Sequence, residues 1–407
     1  MKKIQRALIS VYDKSNILEL VKLLEINKIE IISTGGTKKF LEKNNVQIQS
    51  VENITEYPSI LGGRVKTLHP KIFGGILNRS NNEADNLEME KFNIPSIDMV
   101  VVDLYPFEET VKTTNLQEDI IEKIDIGGVS LIRAAAKNFK DILVVSSKND
   151  LKLAANLIVS QKAHTTLNDR LQFATNSFNV TASYEIAISK YFDYQLNKKS
   201  HFNKNFNINI SNSSQLRYGE NPHQKGVFYG KIDELFEQLN GKSLSYNNLL
   251  DIDAATHLME EFSETSFAIL KHNNACGVAS DKDLTKAWKK ALAGDPVSAF
   301  GGVLISNTNI DLDVAKEINN LFFEILIAPK FEKEAITLLK SKKNRIILKK
   351  KNAKLEEVSF RTVLNGVLCQ QKDYITDQNN TKLVSDLKVS KAQMEDLIFA
   401  SKICKHT

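Results

Sequence analysis

Two cations, a hydroxyl and an imidazole follow a glycine pair in Gly62-Gly63-Arg64-Val65-Lys66-Thr67-Leu68-His69-Pro70. Arg64 offers a planar fork of donors suited to phosphate or carboxylate, and Lys66 is a compact charge whose pKa moves readily on desolvation. The glycines let backbone come close to a ligand or take positive φ without steric cost. A solvated basic loop would carry the same residues, so this stretch alone leaves both readings open. Thr34-Gly35-Gly36-Thr37 is a second candidate. Backbone N–H groups at a glycine turn that opens a helix make a phosphate cradle, although an ordinary tight turn looks the same. Neither GxxxxGK[ST] nor GxGxxG is present, which excludes a P-loop and a dinucleotide fingerprint. Later in the chain, Lys271-His272 pairs an oxyanion stabiliser with a base. A lone pair of that kind is weak as a signal. Cys276, small and beside Gly277, reads as packing rather than as a nucleophile.

The elements that must position these groups alternate. Ala7 to Val11, Ile29 to Ile32, Met99 to Val102 and Ile142 to Val145 are short apolar runs that suit buried parallel strands. Ser15 is placed to cap a helix with Ile17, Leu20, Val21 and Leu24 on one face. Helical patterns also cover Leu116 to Ile121 and Ser130 to Asn138, where Arg133 and Lys137, four apart, share a face. Strand–helix alternation predicts a doubly wound parallel sheet. Asp103-Leu104-Tyr105-Pro106-Phe107 then falls at a strand's carboxyl end, where such sheets bind ligands. Residues 150 to 195 read as helical, with Tyr184, Ile188 and Phe192 on one face. Asn197 to Ser214, rich in Asn, Lys and Ser, reads as a linker. After it, Phe267 to Leu270 is a buried strand expected to end in a loop from Lys271 to Gly277.

Composition sets the bounds. The 407 residues suit two or three domains, and 42% hydrophobic with 25% charged residues is ordinary for a globular chain with a core. The net charge of +5 is scattered, which favours small anions as ligands and argues against nucleic acid. Three cysteines, Cys276, Cys369 and Cys404, are too far apart for a zinc knuckle and too odd in number for a disulfide framework. No apolar run spans a bilayer, and the first residues run directly into a strand pattern. The reading is a cytoplasmic protein without metal or membrane.

Taken together, Tyr12-Asp13-Lys14, Thr34 to Thr37, Gly62 to Pro70, Leu104 to Phe107 and Asp125-Ile126-Gly127-Gly128-Val129 through Arg133 to Asn138 resemble one half of the bifunctional purine biosynthesis family. That half is the IMP cyclohydrolase, on a methylglyoxal-synthase-like fold. Arg217-Tyr218-Gly219, Lys271 to Gly277, Asp295 to Gly302 and Glu324 to Pro329 resemble its other half. This is the transformylase, a cytidine-deaminase-like α/β unit without that fold's zinc ligands. The domains implied are 1–197, a linker over 198–214, and 215–407. The resemblance implies formyl transfer from 10-formyltetrahydrofolate to the aminoimidazole carboxamide ribotide AICAR, then closure of the product FAICAR to IMP with loss of water. It also implies a homodimer.

Carried over residue by residue, the resemblance gives Lys66, Tyr105, Asp125 and Lys137 the ring closure, and Lys271 and His272 the formyl transfer. Tyr12, Lys14, Thr34, Gly35, Gly36, Thr37, Arg64, Thr67, Asp103, Ile126 and Gly127 would hold nucleotide in the first half. Arg217, Tyr218, Gly301 and Glu324 would contact substrate or folate in the second. The chain departs from the family pattern at Asp103, usually Asn, and at Ala275, more often Pro. A carboxylate at 103 lacks the amide donor and is expected to weaken nucleotide binding. The sequence ends at Thr407 inside a helical pattern, before family motifs that include an asparagine and an arginine of the transformylase site. The transformylase domain is therefore expected to be incomplete and its activity weak. Two rival readings stay open at this point, a single-activity cyclohydrolase with a structural second half and a non-catalytic nucleotide-binding module.

Overall fold

The computed structural model describes residues 1–196, 205–210, 212–353, 355–375, 381–384 and 386–407. Part of the segment expected as a linker, 198–204 and 211, lies outside the described residues. The chain divides into two compact units, Met1–Asn209 and Ile210–Thr407.

The first unit is built on five parallel strands: β1 (Arg6–Ser10), β2 (Glu30–Ser33), β3 (Gln49–Ser50), β4 (Met99–Val102) and β5 (Leu143–Val145). Their order is β3-β2-β1-β4-β5. All four residues of β4 are buried, because helices cover both faces of the sheet and leave no polar side. Helix α1 (Ile17–Ile26) lays Ile17, Leu20, Val21 and Leu24 on it. Its N-cap is Asn16, in the left-handed region, rather than Ser15, whose N–H is taken by Asp13 Oδ1 at 2.8 Å. Helix α2 (Gly35–Lys43) follows β2, and α3 (Gly127–Lys137) packs Leu131, Ile132 and three alanines inward. The long helix α4 (Leu167–Leu196) buries Phe173, Ser177, Thr181, Tyr184 and Tyr191. Its inner face thus runs through Tyr191, and Phe192 is left 40% exposed, unlike the face expected from the sequence. Phe107 sits edge-on to both Tyr184 and Tyr191 at 6.2 and 5.8 Å.

The chain runs outward from β1 to β2 and β3, then returns to build β4 and β5 on β1's other side. The reversal between β1 and β4 opens a crevice at the strands' carboxyl ends, the usual ligand position in such sheets.

The second unit holds a mixed sheet of β6 (Phe236–Asn240), β7 (Ser266–Lys271), β8 (Asn274–Ser280), β9 (Val303–Ser306), β10 (Ile325–Ala328) and β11 (Ile346–Lys350), in the order β6-β11-β10-β9-β7-β8. Helices α5 (Tyr246–Met259) and α6 (Leu284–Gly294) belong to two separate core clusters on the sheet, with Trp288 of α6 buried. The loop expected after Lys271 is a strand from Asn274 onward. Lys271 pairs with Asn274, so His272 and Asn273 alone make the turn. Gly277 in β8 lets the backbone of α6 come so close that a Cβ there would stand 1.9 Å from the Ala291 carbonyl oxygen. Downstream, β12 (Val358–Val363) and β13 (Gly366–Gln371) form a hairpin that pairs with itself, with Leu364 exposed at its turn.

Candidate active sites

In the first unit, the segment after β1 and the end of β4 are tied together across the crevice. Asp103 accepts hydrogen bonds from the backbone N–H of Tyr12 and, at 2.9 Å, of Asp13. Burial pushes its carboxyl above the ordinary range, while these N–H groups and Lys14 pull the other way. The acceptor-only carboxylate is therefore well matched to its place. Lys14 folds back, with Nζ donating to the carbonyls of Val11 and Tyr12 at 2.7 and 2.8 Å. Burial, and to a lesser degree the charge of Lys66, hold its ammonium pKa below normal. Asp13 is held far below its usual range by an ion pair with Lys148 at 2.5 Å.

At the α2 turn, the hydroxyls of Thr34 and Thr37 are already engaged. Thr34 donates to Glu52 Oε1 at 2.8 Å, and Thr37 clamps both backbone groups of Val11. What the turn offers a ligand is backbone N–H, opened by Gly35 at φ 57°. Lys66 reaches this turn from the next loop. Its Nζ lies 2.8 Å from where a Cβ on Gly35 would stand, and its Cε 2.7 Å from where one on Gly63 would stand. Both glycines, at φ 57° and 93°, are required by this packing and by their conformation. Arg64 pairs with Glu122 on the surface, with its side chain 71% exposed. Thr67 is buried with Oγ1 close to Gly127, and His69 caps the following helix by accepting from Lys71 N at 3.2 Å.

Asp125 opens α3. Its Oδ1 accepts from Gly128 N at 2.6 Å, and a Cβ on Gly128 would stand 2.5 Å from its Oδ2. Burial raises its pKa, opposed by that N–H and the backbone of Tyr105. The Tyr184 hydroxyl accepts from Asp125 N at 2.9 Å and donates to Lys123 O at 2.6 Å, which locks the segment onto α4. Tyr105, 39% exposed, meets Tyr12 edge to face at 5.4 Å. Burial, then Asp125, Glu122, Tyr12 and Asp103, keep its phenol protonated beyond the usual range.

Tyr12, Lys14, Gly35, Gly36, Lys66, Asp103, Tyr105 and Asp125 therefore converge on one crevice, with Thr67 and Gly127 at its wall and Ile126 exposed beside it. Lys137 is exposed at the carboxyl end of α3, about 15 Å along the helix axis from Gly127 at 1.5 Å per residue. Lys123, Glu122 and Lys148 are also at the site, and none stood out in the sequence.

In the second unit, Lys271 and His272 sit at a hairpin tip. His272 and Asn273 take φ of 54° and 65°, left-handed values that a two-residue turn of this kind demands and glycine usually supplies. Asp251 of α5 holds the turn by accepting from Asn273 N at 2.7 Å. Burial raises its carboxyl pKa, opposed by that N–H and by His272. Lys271 Nζ donates to Phe300 O at 2.9 Å, and Gly301, at φ 75°, bonds back to Phe322 O. Glu324 is placed by Asn248 and Lys242, both at 3.4 Å. Arg217 lies over the ring of Tyr218 at 5.6 Å on the exposed loop that precedes these elements. Cys276 Sγ lies 3.4 Å from Ile269 O with its thiol pushed up by burial, as befits packing.

Residues 135–407 match the AICARFT/IMPCHase bienzyme family, and residues 16–130 match the MGS-like domain. The chain belongs to the AICARFT/IMPCHase bienzyme family. A bifunctional purine biosynthesis protein PurH of Bacteroides thetaiotaomicron is 51% identical over 407 residues, covering 100% of this chain and 79% of that protein. The PurH of Petrotoga mobilis is 42% identical over 411 residues, covering 99% and 80%. The chain thus carries an MGS-like domain followed by an AICARFT/IMPCHase domain. The chain carries the last two steps of IMP synthesis, formyl transfer to AICAR and cyclodehydration of FAICAR. No helix among the described residues is long and apolar enough to cross a membrane.

Proposed function

We propose that ring closure occurs in the β1/β4 crevice and that Lys66 and Tyr105 stabilise its oxyanion. The carboxamide nitrogen of FAICAR attacks the formyl carbon and the carbonyl pair moves onto oxygen. One proton passes from the attacking nitrogen to that oxygen, and the C–O bond then breaks as a nitrogen lone pair forms C=N; the hydroxyl takes a second proton, the one this nitrogen gives up, and leaves as water. Donors fixed before the charge develops are the main catalytic resource for such a step. The observation that carries this reading is the Lys66 ammonium, threaded between Gly35 and Gly63 at the mouth of the α2 cradle. Backbone N–H groups of α2, with Lys14 and Arg64, would take the phosphate, Arg64 by leaving Glu122. Asp125, whose burial favours the protonated form, would trade a proton with the carboxamide.

For formyl transfer, the AICAR amine attacks the formyl carbon of 10-formyltetrahydrofolate, His272 takes the amine proton, and Lys271 faces the oxyanion. The folate nitrogen leaves and is reprotonated. Arg217, Tyr218, Gly301 and Glu324 would position the substrates. The two activities belong to 1–197 and 215–407, in a cytoplasmic homodimer. Support for a second copy comes from Val297, Phe300 and Phe322, which are 82%, 58% and 55% exposed beside the Lys271 partner carbonyl.

Lys66→Ala should lower cyclisation of FAICAR by roughly a hundredfold or more, the scale of one lost oxyanion donor, and leave formyl transfer unchanged. Full cyclisation by that variant would refute the assignment.

A further inference from the structure

Lys123 has no part in the scheme above, yet it stands in the same crevice. It is half-buried at the end of the segment that leads into Asp125. Its Nζ lies 5.2 Å from the centroid of the Tyr12 ring and 5.6 Å from that of Tyr105. Those rings meet edge to face, so one ammonium addresses two aromatic groups that already touch. Its carbonyl accepts from Tyr184, the hydroxyl that also accepts from Asp125 N. The backbone that fixes Lys123 is therefore the backbone that fixes Asp125. Among the described residues Lys123 forms no ion pair, and its acidic neighbour Glu122 is occupied by Arg64. A surface lysine without a role would extend into water, where its strongly hydrated ammonium is most stable.

We propose that Lys123 is a positioning residue for ring closure, its ammonium gripping the rings of Tyr12 and Tyr105 so that the Tyr105 phenol points at the reacting formyl oxygen and donates strongly to it. The proposal rests on the assignment of Tyr105 to the oxyanion. A cation near an aromatic ring is attracted by the ring's quadrupole, more so when partly desolvated. Burial first, then Asp125, Glu122, Tyr12 and Asp103, oppose ionisation of the phenol. A positive charge beside the ring acts in the opposite sense. The charge of Lys123 withdraws electron density from the ring and makes the O–H a better donor as the oxyanion forms.

The test uses the full chain and follows IMP formation from FAICAR in Lys123→Met, Lys123→Arg, Tyr105→Phe and the Lys123→Met/Tyr105→Phe double variant. Loss of the contact to both rings should lower kcat by roughly threefold to thirtyfold in Lys123→Met, with KM little changed. Lys123→Arg should recover most of the rate, since guanidinium also binds ring faces. Lys123→Met should add nothing once the Tyr105 hydroxyl is gone. An unimpaired Lys123→Met beside an impaired Tyr105→Phe would overturn the proposal alone. So would equal losses in both tyrosine backgrounds, or a rise in KM at constant kcat, which would mark direct contact with substrate. Full activity in Tyr105→Phe would overturn the Tyr105 assignment and the proposal with it.

Discussion

Asp103→Asn sets two accounts of one residue against each other. Counting donors alone, an amide at this position should improve nucleotide binding. The structure points the other way, because Asp103 Oδ1 and Oδ2 each accept a backbone N–H, from Tyr12 and Asp13. An asparagine keeps one acceptor and turns an NH₂ group toward the second N–H. One charge-assisted hydrogen bond, about 1.5–3 kcal/mol, is lost. Relief from burying the charge returns part of that, since burial pushes the carboxyl above its ordinary 3.8. The net cost is then about 1–2 kcal/mol, which for a unit near two hundred residues is a fall in Tm of roughly 2–8 °C. The pH sign follows from the same shift. A carboxyl whose pKa is raised by folding stabilises fully below 3.8, and that contribution is lost as pH rises through the folded value. Asp103→Asn should therefore flatten this part of the acid-side profile. Nucleotide binding should weaken, since Tyr12 and Lys14 lose their tether. Calorimetric melting across pH 3 to 7 and titration with IMP are the assays. An unchanged or higher Tm together with tighter IMP binding would refute the clamp.

Three further outcomes are expected. Gly128→Ala puts a methyl 2.5 Å from Asp125 Oδ2, so the carboxylate must move, and cyclisation should fall on the order of a hundredfold while formyl transfer holds. In Tyr184→Phe, the N–H of Asp125 and the carbonyl of Lys123 both lose their partner, a loss of about 2–4 kcal/mol read by denaturant melting. Burial pushes that phenol up to about 12, so the wild type should lose stability as pH rises from 10 toward 12 and the variant should not lose that part. Asn273→Gly relieves a left-handed residue at the hairpin tip and should stabilise by about 1 kcal/mol, measured as a rise in denaturation midpoint.

The strands of the first sheet were legible because Met99 to Val102 and its neighbours are apolar on both faces, which few other environments tolerate. The hairpin at His272 was not legible: Asn274, Ala275 and Gly277 are poor strand formers, and His-Asn is not the Asn-Gly pair that announces such a turn. Nothing local in the sequence reveals that Glu52 and Val11 hold the hydroxyls of Thr34 and Thr37. Lys123 was invisible, because its partner Tyr12 is far away in the chain and cation–ring contacts leave no spacing signature. In α4, a helix of 30 residues, the apolar stripe drifts around the axis, which moved the inner face from Phe192 to Tyr191.

The strand order of the second unit has a consequence for the order in which it forms. The β7/β8 hairpin joins residues adjacent in the chain, and hairpins of this kind close within about 1–10 μs. Lys271 and His272 can thus take their places almost as soon as they are made. At the opposite edge, Phe236 pairs with Lys350, and every other strand of the sheet lies between these two in the chain and must be synthesised first. Closing so long a loop costs entropy before any contact returns it. On the ribosome the Lys271–His272 tip therefore precedes the sheet that supports it, and β6 waits unpaired until β11 arrives. Pulsed hydrogen exchange on refolding chain should protect the amides of Ile269 to Val278 well before those of Phe236 to Asn240.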